Sequence, residues 1–185
     1  MRTLLLIILA AVTGSVEFAR AGDAAMSISI AVPVLEPGAD RFVVAFDRTS
    51  HFPVIVTNTS DKPQRIVTES NSWGDHGLSF ELTDKSGKKT LAQRVSMVYE
   101  KNLPHWWVLQ PRESVVFDVC FADTAKWEGF PHPARYGDSE AVTLRAIFEY
   151  NPGVSAPLAD GVWTGRVFSA PLRIVFYNRL IPPSG

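Results

Sequence analysis

The chain has 185 residues, with 18 basic and 19 acidic side chains and a net charge of −1. Nothing in that balance calls for nucleic acid or an anionic membrane as partner, because both favour a concentrated run of cations. A single cysteine rules out an internal disulfide, so packing has to hold the fold together.

At the N-terminus one cation, Arg2, precedes an apolar run from Leu4 to Val12, and Ala19 and Ala21 form an A-x-A arrangement. That three-part pattern predicts a secretory signal peptide over residues 1–21, cleaved after Ala21, and an exported domain over 22–185, periplasmic or extracellular. The apolar run is short of the roughly 20 residues of a spanning helix, and no later segment reaches that length, so no membrane span is expected. Without Arg2, Arg20 and Glu17 the balance becomes 16 basic against 18 acidic residues, a net charge of −2. The remaining length suits one domain with a proper core.

Beyond residue 21 helical periodicity is almost absent and a two-residue alternation recurs. Met26, Ile28, Ile30 and Val32 alternate with small residues before "EPGAD" ends the run. Phe42, Val44 and Phe46 share a face of "RFVVAF", and Phe52, Val54 and Val56 share one of "FPVIVTN", which "NTSDKP" closes with turn residues. Further runs fall at 64–69, at Leu78, Phe80 and Leu82, and, past a "DKSGKK" hairpin loop, at 91–99. "NLPHWWVLQPRESVVFDVC" reads as two antiparallel strands, 105–109 and 114–121, joined by a Q-P-R-E turn. Parity sends Trp106 and Trp107 to opposite faces there, and sets Val115, Phe117, Val119 and Phe121 against Ser114, Val116, Asp118 and Cys120. Val142 to Tyr150, 163–169 and "PLRIVFYN" complete the series. With 13 prolines and 12 glycines falling mainly between the runs, about eight to ten strands predict an all-β fold, a single immunoglobulin-like antiparallel β-sandwich.

"VTNTSDKP", "FELTDKSGKK", "LQPRESVVFDVCF" and "VTLRAIFEY" resemble successive strands of the small bacterial BsuPI-type proteinase-inhibitor domain. That family carries a TNxSDKP-like turn, a D-x-SGK hairpin and an L-x-PGES-like turn. "GVWTGRVFSAPLRIVF" is similar to a broader group of exported bacterial Ig-like proteins. The resemblance spans roughly residues 41–176 and implies a sandwich and, as one function, proteinase inhibition. The chain departs from it in carrying Arg112 where the turn has glycine, and in the insertion "FADTAKWEGFPHPARYGDSEA". It supplies no inhibitory residues to transfer.

No chemistry-bearing motif stands out. The histidines, His51, His76, His105 and His132, lack ligand spacing, so no metal and no cofactor is expected. No G-x-S-x-G or phosphate loop occurs. Cys120 with His105 could form a thiol–imidazole pair, but Asp118 on the same strand face would raise the thiol pKa, and a small buried hydrophobe is the simpler role. The acid pairs Asp138 with Glu140 and Glu69 with Asp75 have nothing in the sequence to set their separation. No catalytic residue is assigned, and the chain is read as a non-enzyme, with a carbohydrate or ester hydrolase the least supported alternative.

Aromatic residues carry the binding expectation. Trp163 reads as a core lid, whereas Trp73 and Trp127 sit in Gly/Pro-flanked loops. Either they plug the sandwich ends or they contact a ligand. With Asp75, His76, His132 and Arg135 they make the candidate contact set, on 70–77 and 122–140 at one sandwich end. The expected function is an exported interaction module binding a protein or glycan partner in the cell envelope. The alternative is a proteinase inhibitor presenting "NLPH" or "GFPHPARYG" as its exposed loop.

Overall fold

A computed structural model describes residues 25–31, 42–45, 51–69, 72, 74–99, 105–151 and 161–178, with backbone alone at 42–45. The expected signal segment, Val32, Phe46 and Trp73 lie outside the described residues. Those described form an all-β fold of twelve strands with no helix, more strands than the eight to ten expected.

Three strands, β1 (Met26–Ile30), β3 (Phe52–Asn58) and β8 (Ser114–Val119), make one antiparallel sheet in the order β1-β3-β8. The larger sheet has seven strands. It runs β2 (Phe42–Ala45), β12 (Leu172–Tyr177), β10 (Ser139–Tyr150), β5 (Leu78–Asp84), β6 (Lys89–Arg94) and β9 (Trp127–Glu128). β11 (Gly165–Phe168) pairs with part of β10. A separate ladder joins β4 (Gln64–Val67) to β7 (Trp106–Leu109). One pairing departs from the expected antiparallel pattern: β2 lies parallel to β12.

Alternation decides which side chains meet between the sheets. Phe52, Val54 and Val56 of β3 are fully buried, as are Phe80 on β5 and Leu144 and Ala146 on β10. Ring contacts bridge the two layers: Phe52 to Phe80 at 5.7 Å, Phe121 to Phe176 at 4.8 Å, Phe117 to Phe148 at 5.8 Å. Each buried aromatic contributes roughly 1.5–3 kcal/mol by leaving water. Trp163 stacks on Phe148 at 5.6 Å, the lid expected of it. Trp107 packs edge-on against Phe117, while Trp106 sits outside under the Arg65 guanidinium, so parity does divide the pair.

The expected hairpin between 105–109 and 114–121 does not form. β7 pairs with β4, β8 pairs with β3, and both run antiparallel to the 52–67 chain. The "NTSDKP" and "QPRE" loops therefore face each other across one interrupted ladder. Asn58, fully buried, ties them together: its amide donates to the carbonyls of Lys62 and Leu109 at 2.8 and 2.9 Å. Its own carbonyl accepts the Arg112 N–H at 2.9 Å. Arg112 has φ of 71°, the left-handed conformation that glycine adopts without cost.

Candidate functional site

The site is built where β6 ends. β6 stops at Arg94 rather than running to 99, and Val95 to Tyr99 continue as an irregular segment. Beside it the turn 74–77 is closed by the Gly77 N–H donating to the Gly74 carbonyl at 2.9 Å. It is held to β10 by the Glu149 N–H on the Gly77 carbonyl at 2.9 Å. Gly74 has to be glycine, because a Cβ there would lie 2.1 Å from the Thr68 carbonyl oxygen. The next residue, Asp75, is turned inward and is 2 % exposed.

A buried carboxylate must be paired, and Asp75 meets Arg94. Its Oδ1 lies 3.5 Å from Arg94 Nε but accepts no hydrogen bond among the described residues, while Oδ2 accepts the Met97 N–H at 3.4 Å. The same guanidinium pairs through Nη1 with Glu69 Oε2, and its face lies 5.8 Å from the Trp127 ring. Tyr99 donates its hydroxyl to the Glu69 carbonyl at 3.4 Å. Burial, reinforced by the neighbouring Asp75 carboxylate, pushes the Tyr99 phenol up to about 12. Ser96 Oγ and His76 Nε2 lie 3.2 Å apart. Two carboxylates, one arginine and one tyrosine thus clamp both ends of a short loop. At its tip Met97 is 52 % exposed and Val98 95 %.

Of the residues expected to act together, Asp75 and Trp127 both meet Arg94, and His76 lies against Ser96 in the adjoining segment. Trp127 is not a contact residue, however: it is 4 % exposed and wedged against Phe80 and Phe130 at 5.5 and 5.7 Å. It plugs the core and supports the arginine. His132 and Arg135 lie elsewhere. Their loop is fastened at the start of β10, where Asn178 donates to the Pro133 carbonyl at 2.7 Å and Arg135 N–H donates to Asp138 at 3.0 Å. The 74–77 turn sits beside the other end of β10, where the Glu149 N–H meets the Gly77 carbonyl. The expected surface over 70–77 and 122–140 is therefore divided: Trp127 lies on the side of the turn, through Arg94, and 133–138 lies at the start of β10. Partial burial holds the His132 imidazole below the usual histidine range.

Arg94, Tyr99, Met97 and Val98 escape a reading of the sequence by strand patterns. A signal was present in "RVSMVY", where two adjacent apolar residues break the alternation that a strand to 99 requires.

The one cysteine keeps the position that parity assigns, beside an open depression of about 420 Å³ shared with His51 and the 122–126 turn. His105 is not its neighbour in the ladder. His51 lines the same depression, and its Nδ1 lies 2.9 Å from Asp118. Among the described residues no cluster of three or more His, Cys, Asp or Glu side chains could hold a metal ion, and no helix is long and apolar enough to cross a membrane.

No family model matches the chain, and no curated protein matches it. A crystal structure of a Bordetella pertussis protein provisionally named ApaA is similar over 86 % of this chain and 95 % of its own, at 12 % identity and a TM-score of 0.38.

Proposed function

We propose that the protein is an exported, non-enzymatic binding module that presents the 95–99 loop to a protein partner. Export rests on the N-terminal pattern of residues 1–21. The observation that carries the binding reading is the contrast within one short loop. Val98 is 95 % exposed, while the backbone one residue earlier is held by a carboxylate that is almost wholly buried. Exposed apolar side chains on a loop fixed in advance lose little conformational freedom on binding, so more of their burial appears as affinity. His76 and Ser96 flank the tip as polar rim.

The test is crosslinking in cell envelopes with Val98→Asp and Met97→Asp, beside Val116→Asp on the outer face of β8 as control. Loss of the crosslinked partner in the two loop variants only, with unchanged circular dichroism, supports the reading. Equal capture by all three variants overturns it.

The same loop favours proteinase inhibition as the second reading, with 95–99 in place of "NLPH" or "GFPHPARYG". An inhibitor needs an exposed segment braced from below so that it resists cleavage in a protease cleft. Titration of serine and cysteine proteases decides it. Rapid cleavage between Ser96 and Tyr99, with no inhibition at micromolar protein, removes this reading.

A further inference from the structure

The outward face of the seven-stranded sheet gathers cations that are scattered in the sequence. Arg145 stands on β10, Arg166 on β11, Arg173 on β12 and Lys89 on β6, with Glu81 and Glu149 among them and Glu128 on the edge strand β9. Register brings these into neighbouring positions: Arg145 opposite Glu81, Thr143 opposite Arg173, Glu149 opposite Arg166. All three carboxylates are engaged, Glu128 by the Gln93 amide at 2.8 Å. Glu81 Oε1 takes Lys89 Nζ at 3.1 Å, and Glu149 Oε2 takes Arg166 Nε at 3.1 Å. No carboxylate among the described residues lies within ion-pair distance of Arg145 or Arg173. On a chain of net charge −1 this is a local excess of positive charge created by folding.

One arginine of the patch is also oriented. Arg145 Nε donates to the Ser169 carbonyl at 3.2 Å, and its guanidinium carbon lies 4.2 Å from the Phe168 ring centre. Arg166 approaches the same ring at 5.0 Å. Phe168 remains 41 % exposed between them. An oriented guanidinium offers a planar fork that fits a carboxylate or sulfate, and an exposed aromatic face can stack on the apolar side of a sugar ring.

We propose that this face binds an acidic glycan, a carbohydrate chain bearing carboxylate or sulfate groups. Charge complementarity selects an anion, and Phe168 between two arginines selects one that also offers an apolar sugar face. A nucleic acid duplex carries one charge per about 1.7 Å of its axis and would set phosphates against Glu81 and Glu149. The patch is separate from the 95–99 loop, so either assignment can fail alone.

The experiment is calorimetric titration of the full chain with a sulfated heparin oligosaccharide at low and moderate salt. Arg173→Gln with Arg145→Gln weakens binding about tenfold, taking each exposed charge contact as a few-fold. Phe168→Leu, which leaves every charge in place, weakens it about threefold, a loss of the size expected of an exposed ring contact. Lys85→Gln with Lys88→Gln, at the exposed tip of the β5–β6 hairpin, leaves it unchanged. Absence of heparin binding at low salt overturns the proposal. An equal loss in the hairpin-tip variant does so as well, as does equally tight binding of a DNA oligonucleotide of matched charge. Should the double variant fail to fold, Arg173→Gln alone, on an exposed side chain, serves as the charge test.

Discussion

Two regions of this molecule are held in opposite ways. Between the sheets, Phe52, Phe80, Phe121 and Phe176 pack ring against ring in contacts that have no direction to satisfy. At the end of β6, Glu69, Asp75, Arg94 and Tyr99 are held by charge and by oriented hydrogen bonds. Apolar burial stabilises the whole fold and leaves local geometry to side-chain shape. A buried ion pair adds little net stability once desolvation is counted, but it tolerates few alternative geometries. The first region makes the protein fold. The second determines where the 95–99 loop points.

That difference predicts the largest effect in the apolar region. Phe80 touches Phe52, Trp127 and Phe130, so Phe80→Ala should cost about 3–5 kcal/mol of global stability. Denaturant unfolding should show a lower midpoint, and hydrogen exchange should accelerate throughout both sheets. Confinement of the faster exchange to β5 and its neighbours would blur the contrast drawn here.

Asp75→Ala should cost less, about 1–3 kcal/mol, because Arg94 keeps Glu69 while the Met97 N–H loses its acceptor. Its signature should be local. Amide exchange and proteolysis should rise at 95–99 and leave the Phe52–Phe80 region protected. A uniform rise would mean that the ionic cluster is ordinary core.

The apolar region was the more legible in the sequence, and for a physical reason. Period-two alternation places Phe52, Val54 and Val56 on one face whatever pairs beside them, so burial can be read from one strand alone. Pairing cannot be read that way. The Q-P-R-E stretch has hairpin chemistry, yet the Arg112 N–H is taken by the Asn58 carbonyl, and β7 and β8 go to separate partners. Arg94 was invisible for the same reason, since its role comes from Glu69, Asp75 and Trp127, which only tertiary structure brings together. Trp127 looked like a loop aromatic because its strand has only two residues, too few for alternation to show.

Arg112 allows a smaller test of how backbone geometry differs from side-chain packing. Its φ of 71° is unfavourable for any residue with a Cβ, and its side chain is exposed. Arg112→Gly should therefore stabilise the protein by about 0.5–1 kcal/mol, the left-handed penalty less the entropy that glycine gains on unfolding. Thermal unfolding would register this as a rise of a few degrees. A loss of stability would point to an unrecognised role for the guanidinium.

The smallest effect at neutral pH belongs to Tyr99, and it separates the two regions by sign. Its phenol is held at about 12 against an ordinary value of 10.0, chiefly by burial and then by Asp75. Between those values the unfolded chain releases the proton and the folded protein retains it, so stability falls as pH rises. Below pH 10 both states keep the proton and nothing is lost. Tyr99→Phe should thus leave neutral stability nearly unchanged and reduce the alkaline decline between pH 10 and 12. Asp75→Asn should shift the phenol ionisation downward by removing the neighbouring negative charge, a change that phenolate absorbance measures directly. Phe80→Leu, in the apolar region, should change stability by the same amount at every pH, because no proton is bound or released there.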